Sequence, residues 1–214
     1  MIVTKSKTKE KILSYLGNYK KVFLVGCNTC AKLCKTGGMD EVLAMEQFLK
    51  EHGIEVTGID VLDEGCHIQL AKKELRLHKD ELKRAECLLV LSCGAGVQAV
   101  SQNTDIPAFP ALDSMYLASS ERVGIFIEEC SLCGDCVLGE TAGICPVTQC
   151  PKGLLNGPCG GVKNRKCEVS SELDCAWVKI YEKLKKQNRV KVMRIISPPK
   201  NHLVSLKPRR DNVR

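Results

Sequence analysis

The stretch KKVFLVGCNTC, residues 20–30, decides the fold of the first half of the chain. Its apolar run from Lys20 to Gly26 is short and ends in glycine, which predicts a buried strand. Two further runs, IEVTGIDVL (54–62) and CLLVLSC (87–93), have the same character. Because helix-prone segments separate these runs, we predict a Rossmann-like α/β domain with a parallel sheet over residues 1–120.

The segments between the predicted strands have the apolar spacing of helices. GGMDEVLAMEQFLKEHG (37–53) is the clearest, with Asp40 as a candidate N-cap and Gly53 as a stop signal. A polar, helix-prone stretch covers residues 67–85, and GAGVQAVSQ begins another helix at Gly94. This last segment follows a strand, but it lacks the full G-x-G-x-x-G pattern of a nucleotide-binding turn.

Cysteine content is the most unusual property of the composition, with 14 cysteines among 214 residues. A chain of this length can bury a hydrophobic core and does not need disulfides to fold. The N-terminal sequence MIVTKSKTKEK lacks the apolar region of an export signal, and no apolar run is long enough to cross a bilayer. We therefore expect a soluble cytoplasmic protein with reduced thiols, in which clustered cysteines indicate metal binding.

Residues 121–188 differ in character from the first half. Glycines, prolines and eight cysteines lie between Cys130 and Cys175, and the apolar periodicity fades. Because such a segment can bury little apolar surface of its own, we predict a domain organised by bound metal, which supplies folding free energy directly. The domain ends in a predicted helix within SSELDCAWVKIYEKLKKQ (170–187), with Ser171 and Asp174 as a capping box. Its apolar stripe comprises Leu173, Trp177, Ile180, Tyr181 and Leu184.

The first cysteines of this domain have the spacing of an iron–sulfur site. Cys130, Cys133 and Cys136 follow the pattern C-x2-C-x2-C, and Cys145 precedes a proline. This pattern is similar to the run that holds a [4Fe–4S] cluster in bacterial ferredoxins, although the last gap is longer. Four-thiolate zinc sites usually use paired C-x2-C knuckles without a third close cysteine, so the triplet favours iron over zinc.

Four more cysteines follow at wider gaps, and they allow a second four-thiolate site. These are Cys150, Cys159, Cys167 and Cys175. The sequence leaves open whether they bind another iron–sulfur cluster or zinc, and which of them pair as ligands.

A separate group of cysteines follows the predicted strands of the first half. Ligands of parallel sheets gather at the carboxyl ends of the strands, where the connecting loops converge. We therefore predict a four-thiolate metal pocket here, with Cys66 as a competitor or fifth neighbour. Its members are Cys27, Cys30, Cys34 and Cys93. A redox dithiol at CNTC (27–30) is the alternative, but a dithiol requires neither Cys34 nor Cys93.

Two classes of function receive little support from the sequence. The formal net charge is +7, and much of the excess lies in a basic tail at residues 189–214. Aromatic residues make up only 4% of the chain and do not alternate with basic ones, which argues against nucleic-acid binding. No convergent acid, base or nucleophile stands out, so we expect no catalysis by the chain alone.

The cysteine motifs resemble one known family. ECSLCGDCVLGETAGICPVTQCPKGLLNGPCGG (129–161), CEV (167–169) and DCAWVKIYEKL (174–184) are similar to the methylenetetrahydrofolate reductase C-terminal-type family. VGCNTCAKLCKTGG (25–38) and LSCGAGVQ (91–98) extend the resemblance into the first half. In acetogenic bacteria this family provides the small iron–sulfur subunit that accompanies a flavin-containing reductase.

The resemblance implies a role in the methyl branch of one-carbon metabolism, the Wood–Ljungdahl pathway. It also implies that the chain would deliver electrons to the flavin of the reductase. The cysteine groups themselves predict two or three [4Fe–4S] clusters, with zinc possible at one site. A ferredoxin or another subunit would act as electron donor, without nucleic acid and without membrane insertion. Two alternatives remain at this point: a zinc-folded structural adaptor of the same complex, and an independent thiol enzyme that uses Cys27 and Cys30.

Overall fold

The computed structural model describes residues 1–210, which form two compact units that divide between Phe126 and Ile127. The sequence prediction placed its division at residue 120. Of the predicted tail, 189–214, residues 189–210 fall in the second unit, and residues 211–214 lie outside the described residues.

Helices and strands alternate through most of the first unit. The strands are β1 (Ile2–Ser6), β2 (Lys21–Cys27), β3 (Glu55–Leu62), β4 (Cys87–Val90), β5 (Ala108–Pro110), β6 (Leu112–Arg122) and β7 (Ile125–Cys130), of which β7 continues into the second unit. The α-helices are α1 (Lys9–Leu16), α2 (Cys30–Leu33), α3 (Met39–Glu51), α4 (Ile68–Leu75), α5 (Lys79–Arg84) and α6 (Gly94–Ser101), and a 3₁₀ turn spans Arg76–His78.

The central sheet is parallel and has the strand order β3-β2-β4-β5. Strand β2 lies in its interior, and its alternate side chains enter two separate cores. Val22 and Leu24 pack on the side of α1 and α3, whereas Phe23 and Val25 pack on the side of α4 and α6. Full burial of each such side chain stabilises the fold by about 1.5–3 kcal/mol. The predicted α/β class and parallel sheet are confirmed.

A second sheet, with the order β1-β6-β7, was not predicted. Strands β1 and β6 pair antiparallel, from Ile2 opposite Leu117 to Ser6 opposite Leu112. Most side chains of β6 are exposed, so its sequence lacks the alternation of apolar and polar residues that indicates a half-buried strand. Its partner β1 also lies at the far end of the unit's sequence, where no local pattern could indicate the pairing.

The start of α3 differs from the sequence prediction. Gly38 is the N-cap, and its backbone N–H donates to the Glu41 carboxylate at 2.9 Å. The predicted cap, Asp40, lies within the first turn, where its negative charge is favourable beside the helix N-terminus.

Cys87 is a fully buried side chain of β4. Burial, assisted by the negative charge of Glu86, raises the pKa of its thiol to about 12. Because only the thiolate is a good nucleophile, the Cys87 thiol is expected to be unreactive. Cys87 packs as a small apolar core residue, as predicted from its place in a strand.

We expect Cys87 to react with iodoacetamide at least about a hundredfold more slowly than the exposed Cys66 in chelator-treated protein at pH 8. Mass spectrometry of peptides at successive times measures both rates. Equal rates in the folded chain would show that β4 is open to solvent.

The second unit contains little regular secondary structure within its described residues. Its elements are α7 (Pro146–Gln149), α8 (Ala176–Lys186) and two 3₁₀ turns at Val190–Arg194 and His202–Ser205. A small apolar core surrounds α8, in which Trp177, Ile180 and Leu184 are buried. The indole Nε1 of Trp177 donates to the Leu154 carbonyl at 2.9 Å, so this ring ties the helix to the preceding loop.

Two details of the predicted last helix are wrong. Leu173 and Tyr181 are exposed, so the buried stripe is narrower than predicted. Cys175 is the N-cap, and Asp174 forms ion pairs with Lys166 at 2.7 Å and Lys179 at 3.5 Å. The acidic side chain is therefore bound by lysines and does not cap the helix.

None of the helices within residues 1–210 has both the length and the apolar character needed to cross a bilayer.

Candidate metal centres

Three neighbouring parallel strands bring cysteines to one edge of the first unit. Cys27 ends β2, Cys66 lies in the loop after β3, and Cys93 follows β4 as the N-cap of α6. Cys30 is the first residue of α2, directly beyond β2. Since the strand order is β3-β2-β4, these loops converge as the sequence predicted.

Three of these thiols lie close enough to Cys66 to influence its pKa. Partial burial raises the pKa of Cys66, and the sulfurs of Cys93, Cys27 and Cys30 add to this effect in that order. Cys34 is placed differently, since its sulfur lies 3.8 Å from the carbonyl oxygen of Ile2 in β1. The structure therefore places Cys27, Cys30, Cys66 and Cys93 at one edge of the sheet and directs Cys34 toward another strand. We call these four residues the sheet-edge thiols.

Cys27 is the sheet-edge thiol whose surroundings most favour the thiolate. Burial raises its pKa, but hydrogen bonds from the Thr29 hydroxyl and from the backbone of Thr29 and Gly65, with a smaller contribution from the nearby Ser92 hydroxyl, outweigh burial and lower it. The Thr29 oxygen lies 3.2 Å from the Cys27 sulfur. Stabilised thiolates are the form in which cysteine binds metal ions.

Ser92 contributes a buried hydroxyl beside these thiols. Its oxygen faces the Cys27 sulfur and, among the described residues, has no hydrogen-bond partner of ordinary geometry. A Cβ on Gly96 would lie 2.2 Å from this oxygen, so only glycine lets α6 approach so closely. A buried polar atom without a partner is costly, and a polar or metal-bound group at the sheet edge would satisfy it.

The second unit contains a cavity of about 420 Å³ that is lined by the ferredoxin-like cysteines. Cys130, Cys133, Cys136 and Cys145 all contribute to its wall. The rest of the lining is largely apolar and includes Leu132, Val137, Leu138 and Val147. We call this space the four-cysteine cavity. Apolar groups beside a metal centre influence its potential.

The loop around the four-cysteine cavity has the backbone of a turn that surrounds sulfur. Leu132 and Gly134 both have positive φ values, 54° and 79°, which curl the chain back on itself. As a result the Leu132 N–H points at the Cys130 sulfur, 3.4 Å away. Hydrogen bonds from backbone N–H groups to cysteine sulfur are among the interactions that tune iron–sulfur clusters.

Cys133 is the cavity thiol whose surroundings most clearly favour the thiolate. A backbone hydrogen bond from Asp135 lowers its pKa most, burial opposes this effect, and the positive charge of Lys200 lowers the pKa further. The loop is held in place behind it, because the Thr148 hydroxyl and the Gln149 amide donate to the carbonyls of Glu129 and Glu128.

The last four cysteines have different surroundings from one another. Cys175 caps α8 and is buried, and Cys150 packs against the same small core. The Cys159 sulfur donates to the Glu168 carboxylate at 3.2 Å. The Cys167 backbone N–H donates to the Leu173 carbonyl. Their predicted role as ligands stays a prediction.

No group of three or more Cys, His, Asp or Glu side chains within residues 1–210 is drawn together closely enough to hold a metal ion directly. The four-cysteine cavity has the residues and the room for a group larger than one ion. A [4Fe–4S] cluster, in which each thiolate binds a different iron at the corner of a cube, meets that description. The donor set therefore fits an iron–sulfur cluster.

Two polar residues near the candidate sites were missed by sequence reasoning. Ser92 is the residue before Cys93, and a polar side chain directly after a buried strand could have indicated it. Lys200 comes from the basic tail and lines the four-cysteine cavity. No local signal distinguishes it from the other lysines of the tail.

Comparison with known proteins supports a relationship for the second half of the chain. Residues 109–203 match the model of the family described as methylene-tetrahydrofolate reductase C terminal. The matched range includes all of the cysteines that line the four-cysteine cavity. No curated protein and no solved structure matches the chain.

Proposed function

We propose that this chain is an iron–sulfur electron-transfer subunit that delivers electrons to the flavin of a partner methylenetetrahydrofolate reductase. The family match of residues 109–203 supports an association with that enzyme. The observation that carries the electron-transfer role is the four-cysteine cavity, in which four thiols, an N–H···S hydrogen bond and a lysine surround one space. We place the complex in the cytoplasm, where thiols stay reduced.

Cys130, Cys133, Cys136 and Cys145 are the proposed ligands in the second unit. A [4Fe–4S] cluster bound there supplies a one-electron carrier. The chain's own residues would hold the thiolates around one space, direct the Leu132 N–H at sulfur and place apolar side chains beside it. These are the means by which proteins adjust the potential of such a centre.

The sheet-edge thiols are the proposed second metal site. Their convergence and the unpartnered Ser92 hydroxyl support this proposal. We assign Cys66 as the fourth ligand in place of Cys34, because the Cys34 sulfur faces the Ile2 carbonyl. Whether iron or zinc binds there is decided by metal analysis of the purified chain.

Anaerobic electron transfer to the partner tests the proposed function directly. We expect the reduced chain, mixed in a stopped-flow instrument with a flavin-containing methylenetetrahydrofolate reductase from the same organism, to bleach the flavin absorbance. The Cys136→Ser variant should lose this reaction because it lacks a cavity ligand. Cys87→Ala is the matched control and should retain it, since Cys87 lies in the strand core.

The outcome of this experiment separates the two roles considered for the complex. A flavin that stays oxidised in the presence of iron-loaded chain would contradict electron delivery. A chain that binds the reductase but contains only zinc would instead be a structural adaptor.

A further inference from the structure

We propose that Lys200 sets the reduction potential of the centre held in the four-cysteine cavity, by placing a fixed positive charge at the cavity wall. The inference rests on the proposed function, because it concerns the cluster assigned to that cavity. It adds a role for the C-terminal tail, which the cysteine motifs do not include.

Lys200 is unusually buried for a lysine. Its side chain is only 8% exposed, although it belongs to a tail whose residues are mostly exposed. Its Nζ donates to the Asp135 backbone carbonyl and lies 3.5 Å from the Asp135 carboxylate. The Cys133 sulfur lies 3.5 Å from that same carbonyl oxygen. The lysine and the proposed ligand thus meet at one backbone group.

The tail is fixed against the second unit by specific contacts. The Asn156 amide donates to the Ser197 carbonyl at 3.0 Å and accepts from the Ser197 N–H at 2.7 Å. Val204 lies directly over the cavity loop, since a Cβ on Gly134 would lie 3.0 Å from its Cγ2 atom. These contacts on both sides of Lys200 hold its side chain at the cavity.

The charge balance around the cavity explains why a buried lysine is useful there. Burying an ammonium group is costly unless a negative charge compensates it. The nearby Asp135 carboxylate is half exposed, so it compensates the Lys200 charge only in part. Four thiolates around an iron–sulfur cluster give a net negative centre that gains one more negative charge on reduction. A fixed cation therefore stabilises the reduced form more than the oxidised form, which raises the reduction potential.

Arg209 adds to the same field, because it also lines the cavity. Between residues 189 and 210 the tail contains lysines and arginines but no acidic residue. The tail therefore contributes two positive charges and no negative charge to a cavity wall whose own acidic residues are Glu129 and Asp135.

A redox titration of the full-length, anaerobically purified chain tests this inference. We expect Lys200→Gln to lower the potential by about 59 mV, the equivalent of a tenfold shift in the one-electron equilibrium between oxidised and reduced cluster. Lys200→Arg keeps the charge and should stay close to wild type. Lys207→Gln removes a charge from the same tail but not from the cavity wall, and should leave the potential unchanged. EPR of the reduced cluster is the readout.

The possible results distinguish this inference from the proposed function. A wild-type chain without iron or EPR signal would overturn both. A cluster with an unchanged potential in Lys200→Gln would overturn the role of Lys200 alone, as would loss of the cluster from both Lys200 variants. If Lys200→Gln alone fails to assemble the cluster, the potential of the Arg209→Gln variant is measured instead, because Arg209 is exposed and also lines the cavity. A lowered potential in Arg209→Gln would support the inference, and an unchanged potential would overturn it.

Discussion

Replacing Cys133 with serine is expected to remove most of the iron bound in the second unit and to loosen its fold. Cys133 lies in the wall of the four-cysteine cavity, in surroundings that lower its pKa through the Asp135 backbone and Lys200. Serine cannot supply the thiolate, and metal binding by small domains contributes about 10 kcal/mol or more to folding. Iron analysis, visible absorbance and limited proteolysis measure the loss.

Cys87→Ser provides the control for this substitution. It makes the same chemical change at a cysteine that lies in the buried strand β4 and is not among the proposed ligands. Iron content should stay at the wild-type level in this variant, even though burying a hydroxyl lowers its stability. Wild-type iron in Cys133→Ser would refute the assignment of that ligand.

The second large effect is expected from Trp177→Ala in α8. Trp177 is 5% exposed, and its indole N–H bonds the Leu154 carbonyl. Loss of the ring leaves a cavity and an unsatisfied acceptor, which together cost about 3–5 kcal/mol. We expect the second unit to unfold at markedly lower urea concentration, as followed by near-UV circular dichroism or proteolysis.

Tyr181→Ala is the matched control, because Tyr181 lies on the same helix and is 43% exposed. Its expected cost is at most about 1 kcal/mol. Equal destabilisation by the two substitutions would show that α8 is not anchored by the Trp177 face.

The sequence was sufficient to predict the parallel sheet but not the antiparallel one. Runs such as Lys20–Gly26 are continuous and apolar because both faces of β2 are buried, and this signal is local. Strand β6 has few buried side chains, and its pairing with β1 joins distant parts of the sequence. Its existence depends on tertiary contacts that a local pattern does not record.

The candidate sites, too, were predictable only where their residues lie close together in the sequence. Cys130, Cys133 and Cys136 are close in sequence, so their spacing alone predicts a shared site, and the structure places them around one cavity together with Cys145. Sequence spacing also grouped Cys34 with Cys30, but the Cys34 sulfur faces β1, a strand that was not predicted. Knowledge of β1 was necessary to see this placement.

Lys200 illustrates the part of a site that sequence reasoning cannot reach. The basic character of the tail was evident from the sequence, but the pattern did not distinguish Lys200 from the other basic residues there. Only the fold brings this one lysine to the four-cysteine cavity, through contacts at Ser197 and Val204. A charge that acts across such a sequence distance leaves no motif.

The most direct test of the proposed iron–sulfur centre is the iron and acid-labile sulfide content of the wild-type chain. The chain is purified without oxygen and examined by EPR after reduction. We expect a brown protein with equal amounts of iron and sulfide, sufficient for at least one [4Fe–4S] cluster per chain, and an EPR signal typical of the reduced cluster. A folded, colourless chain that contains zinc but neither iron nor sulfide would contradict it.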